Sequence, residues 1–174
     1  MFISSDEKQV FQARLNGFSF SRLAPYEKWD PVEAEALRLW RAYSRVAKPQ
    51  TINRIALRYI NRIPLPMDEP VDLPQYLRTF PEISSDLPQG VDDYLIQMAI
   101  PLPDYSAMLT MIQTTIKQPD GFFLVLDIDV ARLVEEPYSA STEPVISDWL
   151  SELRRAKNEV FEASITNKTR RLFY

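Results

Sequence analysis

Neither cysteine nor histidine occurs anywhere in the 174 residues. No disulfide framework can form, and no thiolate or imidazole can ligate a metal. Within one chain, Cys nucleophiles and Ser–His systems are excluded. So is the side chain best suited to proton transfer near neutral pH. Catalysis would have to rest on Asp, Glu, Lys, Tyr, Ser or Thr, or on a hard cation held by carboxylates. These absences weigh against an enzyme, and no cofactor is expected. Glycine is scarce too: Gly17, Gly90 and Gly121 are the only three, too far apart for a phosphate-cradling loop. No apolar run approaches the roughly 20 residues of a membrane span. The N-terminal MFISSDEKQV has neither a basic leader nor an apolar core. The expectation is a cytoplasmic protein with no membrane contact.

What the chain does have is TINRIALRYINRI, residues 51–63. Taken as a β-strand, its faces separate by parity. Ile55, Leu57, Tyr59 and Ile63 fall on one side. Arg54, Arg58 and Arg62 fall on the other, with Ala56 and Ile60 between them. Arginines at this density need anions: carboxylates of the same fold, carboxylates of a partner, or phosphates. Pairing with carboxylates predicts partly buried guanidiniums. Arg14 and Arg22 would extend the patch from a neighbouring strand.

Charge is segregated along the chain. Residues 1–63 hold 11 Lys and Arg against 6 Asp and Glu; residues 64–153 hold 3 against 16; residues 154–174 hold 6 against 2. Either the basic ends fold against the acidic middle, or the two signs form separate patches for a partner or a second copy. The clusters at 154–157 and 168–171 would serve a phosphate-bearing ligand if they converged with the arginine face.

Residues 2–5 and 9–23 suggest two strands. Phe11, Ala13 and Leu15 share one parity and Phe18 and Phe20 the other, so a bulge or sharp twist is expected at Asn16-Gly17. Asp30 as N-cap and Pro31 at the first helical position open a helix, which Pro49 stops. Residues 64–90 carry six prolines and read as an ordered acidic connection along one sheet edge, with a helical turn near 73–79. Tyr94, Ile96, Met98 and Ile100 alternate. Met108, Ile112 and Ile116 alternate with Thr110 and Thr114 on the same parity. Pro119-Asp120-Gly121 is the clearest hairpin turn, and FFLVLDID reads as a strand buried on both faces for most of its length. Residues 142–165 form a long helix, with Leu153, Ala156 and Val160 in register. The order is β-β-α-β, a proline-rich crossover, then β-β-β-α. It predicts a single α+β domain over 1–174, with a largely antiparallel sheet and two main helices packed on one face. Its halves would be 1–63 and 91–174, joined by 64–90.

Several segments occur together: FSFSRLAPYEKW (18–29), LRLWRAY (37–43), RYINRIPLP (58–66), LDID (126–129) and KNEVFEASIT (157–166). In this order they resemble a family of sporadically distributed bacterial proteins of unassigned function. The resemblance runs through nearly the whole chain and supplies no catalytic residues. It implies a further N-terminal strand and helix that are missing here, and hence a sheet edge that a second copy would complete.

Arg54, Arg58 and Arg62 are the candidate ligand-binding residues. Asp127 and Asp129 share strand parity and, with Glu135 or Glu136, would hold Mg²⁺ in a phosphodiester enzyme. No metal site is expected, because spacing fixes no third ligand. The expected function is a non-enzymatic, self-associating binding or regulatory domain. Its partner would be a second copy or another protein, with nucleic acid ranked behind.

Overall fold

The structure is a computed structural model that describes residues 1–25, 28–66, 72–88, 93–139 and 142–173. Tyr26, Gly90 and the acidic residues at 68, 69 and 92 lie outside these. In chain order the elements are β1 (Phe2–Ile3), β2 (Gln9–Arg14), β3 (Gly17–Arg22), α1 (Trp29–Ala47), β4 (Thr51–Leu65), β5 (Leu95–Leu102), β6 (Ala107–Gln118), β7 (Gly121–Pro137), α2 (Glu143–Ser164) and α3 (Asn167–Arg170). The chain has an α+β fold with antiparallel strand pairing. Its strands divide between two sheets, ordered β1-β2-β3 and β4-β7-β6-β5, where the sequence suggested one. By compactness there are two units: residues 1–53 with 134–150, and residues 54–133 with 151–174.

In the first unit, β2 and β3 are a hairpin with Arg14 opposite Gly17. The parity flip at Asn16 is therefore a reverse turn, not a bulge. Phe11 faces Phe20 and Ala13 faces Phe18, so both sets do share a side. Leu15, grouped with Phe11 by parity, sits at the turn and is fully exposed. Helix α1 lays Trp40 and Tyr43 on Phe18, each with ring centroids 5.6 Å away. Tyr138 meets Trp40 edge-on at 5.2 Å. The helix begins one residue before Asp30; Lys28 is its N-cap and makes no side-chain cap bond. Asp30 instead adds an acidic group to the first turn, where the helix dipole favours it.

In the second unit, β5, β6 and β7 form a meander. Leu95 to Leu102 pair with Thr114 to Ala107, and Met108 to Gln118 pair with Ala131 to Gly121. The two-residue turn at Pro119-Asp120 joins β6 to β7 as the sequence predicts. One face of the sheet holds the core. Leu124, Leu126, Ile128 and Val130 of β7 are fully buried against Leu153 and Ala156 of α2, with Ile63 and Leu65 of β4 and Leu109 and Met111 of β6. Met108, Ile112 and Ile116 face the other way. The more hydrophobic parity of β6 is thus not the core parity, and Gln113 and Thr115 are buried instead. The proline-rich segment contributes Leu73, Tyr76 and Leu77 to burial, and Leu77 bridges Ile165. Thr166 caps α3 by accepting from the Thr169 amide at 3.3 Å.

Candidate functional site

The face of the second unit's sheet opposite α2 carries the candidate residues. From Arg54 onward the odd positions of β4 turn to the core and the even positions turn away, as parity predicts: Ile63 and Leu65 are buried, while Arg54, Arg58, Ile60 and Arg62 are exposed. The guanidiniums are only partly buried; the three side chains are 53%, 54% and 45% exposed. β4 is an edge strand whose one strand neighbour is β7, so its long side chains lie over a rim, not under a neighbour.

The expected pairing is seen, and it comes from within the unit. Arg58 donates from Nε to Asp127 Oδ1 at 2.9 Å and from Nη2 to Oδ2 at 2.5 Å, a two-pronged contact that matches guanidinium to carboxylate geometry. Hydrogen bonding to Asp127 holds the Arg58 pKa above its ordinary value. Arg54 Nη2 lies 3.5 Å from Asp129 Oδ2. Arg62 Nη2 donates to Gln118 Oε1 at 2.7 Å and lies 4.0 Å from Asp120 Oδ2. Its guanidinium also stands 4.2 Å above the Phe123 ring. Partner numbers fall from 129 to 123 as the arginine numbers rise, which makes β4 and β7 antiparallel.

Asp127 is only 7% exposed, whereas its arginine is half in water. β7 therefore carries the carboxylates of Asp127 and Asp129, which share one parity, on its second face beside the arginines of β4. Asp129 Oδ1 is buried without a hydrogen-bond partner among the described residues.

The other sequence candidates do not join this face. Arg14 and Arg22 belong to the separate three-stranded sheet, where Arg22 lies 3.8 Å from Asp6. Lys157 of α2 stands 3.8 Å over the ring of Tyr59, which projects from the core side of β4. Lys168 donates to Gln75 Oε1 and sits 4.5 Å over Tyr76, and Arg170 pairs with Glu162. The two basic clusters and the arginine row thus lie on opposite faces of one sheet. Both oxygens of Asp127 are taken by Arg58, and Glu135 and Glu136 are exposed residues of the other unit. Among the described residues no three Asp, Glu, His or Cys side chains gather as a cation site.

Two buried polar groups escaped sequence reasoning. Gln113 is fully buried, with Oε1 unpartnered among the described residues and its amide 4.0 Å from Met111 Sδ. Tyr94 Oη is also unpartnered among the described residues, and burial pushes its pKa up to about 12. The available signal was parity: Gln113 alternates with Leu109, Met111 and Thr115. Lys157 belongs to a cluster the sequence singled out, but its burial was not foreseen: its ammonium is pushed down to about 8 by burial and then by Arg154. Among the described residues no helix is long and apolar enough to cross a membrane. No family model, curated protein or solved structure matches the chain.

Proposed function

We propose that this chain is a non-enzymatic binding or regulatory domain that associates with a second copy of itself. One observation carries the reading. The arginine row is neutralised by carboxylates of its own sheet, and the same face exposes Ile60, Leu95, Met108 and Leu133 to between 44% and 81%. A phosphate ligand wants unpaired cations beside one another; a protein partner wants apolar surface with its charges already compensated. The absence of His and Cys from the sequence supports the same reading. A cytoplasmic location, and membership of the sporadically distributed bacterial family suggested by RYINRI and FEASIT, belong to this proposal too.

Sedimentation velocity across the micromolar range tests it. The weight-average mass is expected to rise with concentration at physiological salt. A strict monomer at all concentrations and at low salt would overturn it. A carboxylate-metal enzyme is the alternative from another class, and calorimetric titration with Mg²⁺ and Mn²⁺ separates the two. Tight binding that disappears in Asp127→Asn would decide for the enzyme.

A further inference from the structure

Strand β5 ends the four-stranded sheet on one side, and among the described strands its one neighbour is β6. Which of its main-chain groups point outward follows from the register. A residue of an antiparallel strand turns both its N–H and its C=O to the same side, and the side alternates along the strand. The Leu126 carbonyl accepts from Asn61 Nδ2 of β4 at 2.9 Å, so the even residues of β7 turn to β4 and the odd ones to β6. Asp127 lies opposite Ile112, which leaves the odd residues of β6 for β5. Those odd residues lie opposite Ile96, Met98 and Ile100. Leu95, Gln97, Ala99 and Pro101 therefore turn their main chain away from the sheet. Thr114 Oγ1, donating to the inward carbonyl of Tyr94 at 2.7 Å, fits the same parity. So does Pro101, which has no N–H and is tolerated where an edge strand faces outward.

The other described edge strands are guarded. β4 carries Arg54, Arg58 and Arg62, β3 ends on Arg22, and β1 is two residues long. Charge and shortness keep edges from pairing. β5 has neither: it runs Leu95–Leu102, eight residues without a charge, and Leu95, Gln97 and Ala99 are exposed. On its core side Ile96 and Met98 are half-buried and Ile100 is exposed, whereas Leu124, Leu126 and Ile128 of β7 are fully buried. The apolar layer thus stays open at this edge.

We infer that β5 is the self-association edge, pairing antiparallel with β5 of a second copy about a two-fold axis that passes beside Gln97, perpendicular to the sheet. The inference rests on the self-association reading above. Leu95, Gln97 and Ala99 offer both a donor and an acceptor outward, and Pro101 ends the series because it has no donor. The set is symmetric about Gln97. Leu95 then meets the partner's Ala99, Gln97 meets the partner's Gln97, and each pair exchanges both its bonds. On the core side the same register sets Ile96 beside the partner's Met98, an apolar cross-strand pair that carries the core layer over the junction. No charge of β5 stands opposite a like charge. An open edge is matched by an extended main chain, and this edge is matched by its own sequence. The contact is narrower than a stacked face and falls below the ~800 Å² per partner of a standard interface, so association is expected at micromolar concentrations.

The test is sedimentation equilibrium of the full chain as wild type, Gln97→Pro and Gln97→Lys, with far-ultraviolet circular dichroism of each. Gln97→Pro removes an outward N–H and leaves the bonds to β6 in place. Gln97→Lys sets two like charges face to face at the two-fold. Each is expected to weaken association at least tenfold with an unchanged spectrum. Association at unchanged affinity in both variants overturns the edge and leaves self-association standing. A monomeric wild type overturns both, and the edge then falls to an extended strand of another protein. If the variants do not fold, amide hydrogen exchange of the wild type decides. The Leu95, Gln97 and Ala99 amides are expected to exchange slowly where the mass is that of a dimer and rapidly on dilution, with Ile96 and Met98 protected in both. Rapid exchange at those three amides in a dimeric sample overturns the proposal.

Discussion

Arg58 grips both oxygens of Asp127 across the β4–β7 boundary, from a position 69 residues away in sequence. The carboxylate is buried and the guanidinium half-exposed. Removing the arginine strands a charge; removing both does not. Arg58→Ala is therefore expected to destabilise by about 1–3 kcal/mol, less than for a fully buried pair because water reaches the guanidinium. Arg58→Met with Asp127→Leu should restore most of the loss. Urea unfolding of the two singles and the double forms the cycle. Strict additivity of the single effects would show that the pair does not interact.

The arginine row was legible before any coordinates because a strand has a period of two and the β4 residues keep to it over twelve positions. The hairpin at Pro119-Asp120 and the long helix at 143–164 were legible for similar local reasons. The extent of their burial was not, since parity shows which side a residue faces but not whether its strand is central or at an edge. Nor was the partition into two sheets, because β1-β2-β3 and β4-β7-β6-β5 follow from pairings between residues far apart in sequence. The core side of β6 was not legible either. Both parities carry apolar residues, Met108, Ile112 and Ile116 on one and the buried Leu109 and Met111 on the other, so hydrophobicity does not distinguish its two faces.

Gln113 offers an opposite kind of test. It is fully buried, and among the described residues its Oε1 is unsatisfied and its amide lies near the sulfur of Met111. A buried acceptor without a donor costs about 1–3 kcal/mol. Gln113→Leu keeps much of the volume and removes the polar atoms. It is expected to raise the unfolding midpoint, by the equivalent of about 1 kcal/mol. A clear loss of stability would mean that Gln113 has a partner.

Nucleic acid provides a sharper negative. With the arginine row paired to carboxylates on one face of the sheet, and Lys157 and Lys168 over the rings of Tyr59 and Tyr76, the basic groups do not gather into one patch for a polyanion. Filter binding to a mixed single-stranded and duplex pool is expected to show no retention at low salt. A steep salt dependence abolished by Arg54→Ala with Arg62→Ala would reverse that expectation, because each lost phosphate contact lowers the slope by about one.

Lys157 makes stability depend on alkaline pH. Its ammonium sits half-buried on the core side of β4, and burial lowers its pKa from the ordinary 10.5 to about 8. In the unfolded chain it stays protonated to higher pH, so between about pH 8 and 10.5 the unfolded state holds more of the proton. Stability from this group therefore rises with pH through that window, and below pH 8 its full penalty is present. The Tyr59 ring 3.8 Å beneath opposes the effect, since an aromatic face favours the charged form. With that attraction and solvent screening, the penalty is expected to be about 1 kcal/mol. Lys157→Met should then stabilise the protein at pH 7, with the gain shrinking toward zero near pH 10.5. Urea unfolding of both proteins at pH 7, 9 and 10.5 measures it. A difference that is constant across the three would assign the effect to packing alone, and a destabilised variant at pH 7 would show that the contact with Tyr59 outweighs the cost of burying the charge.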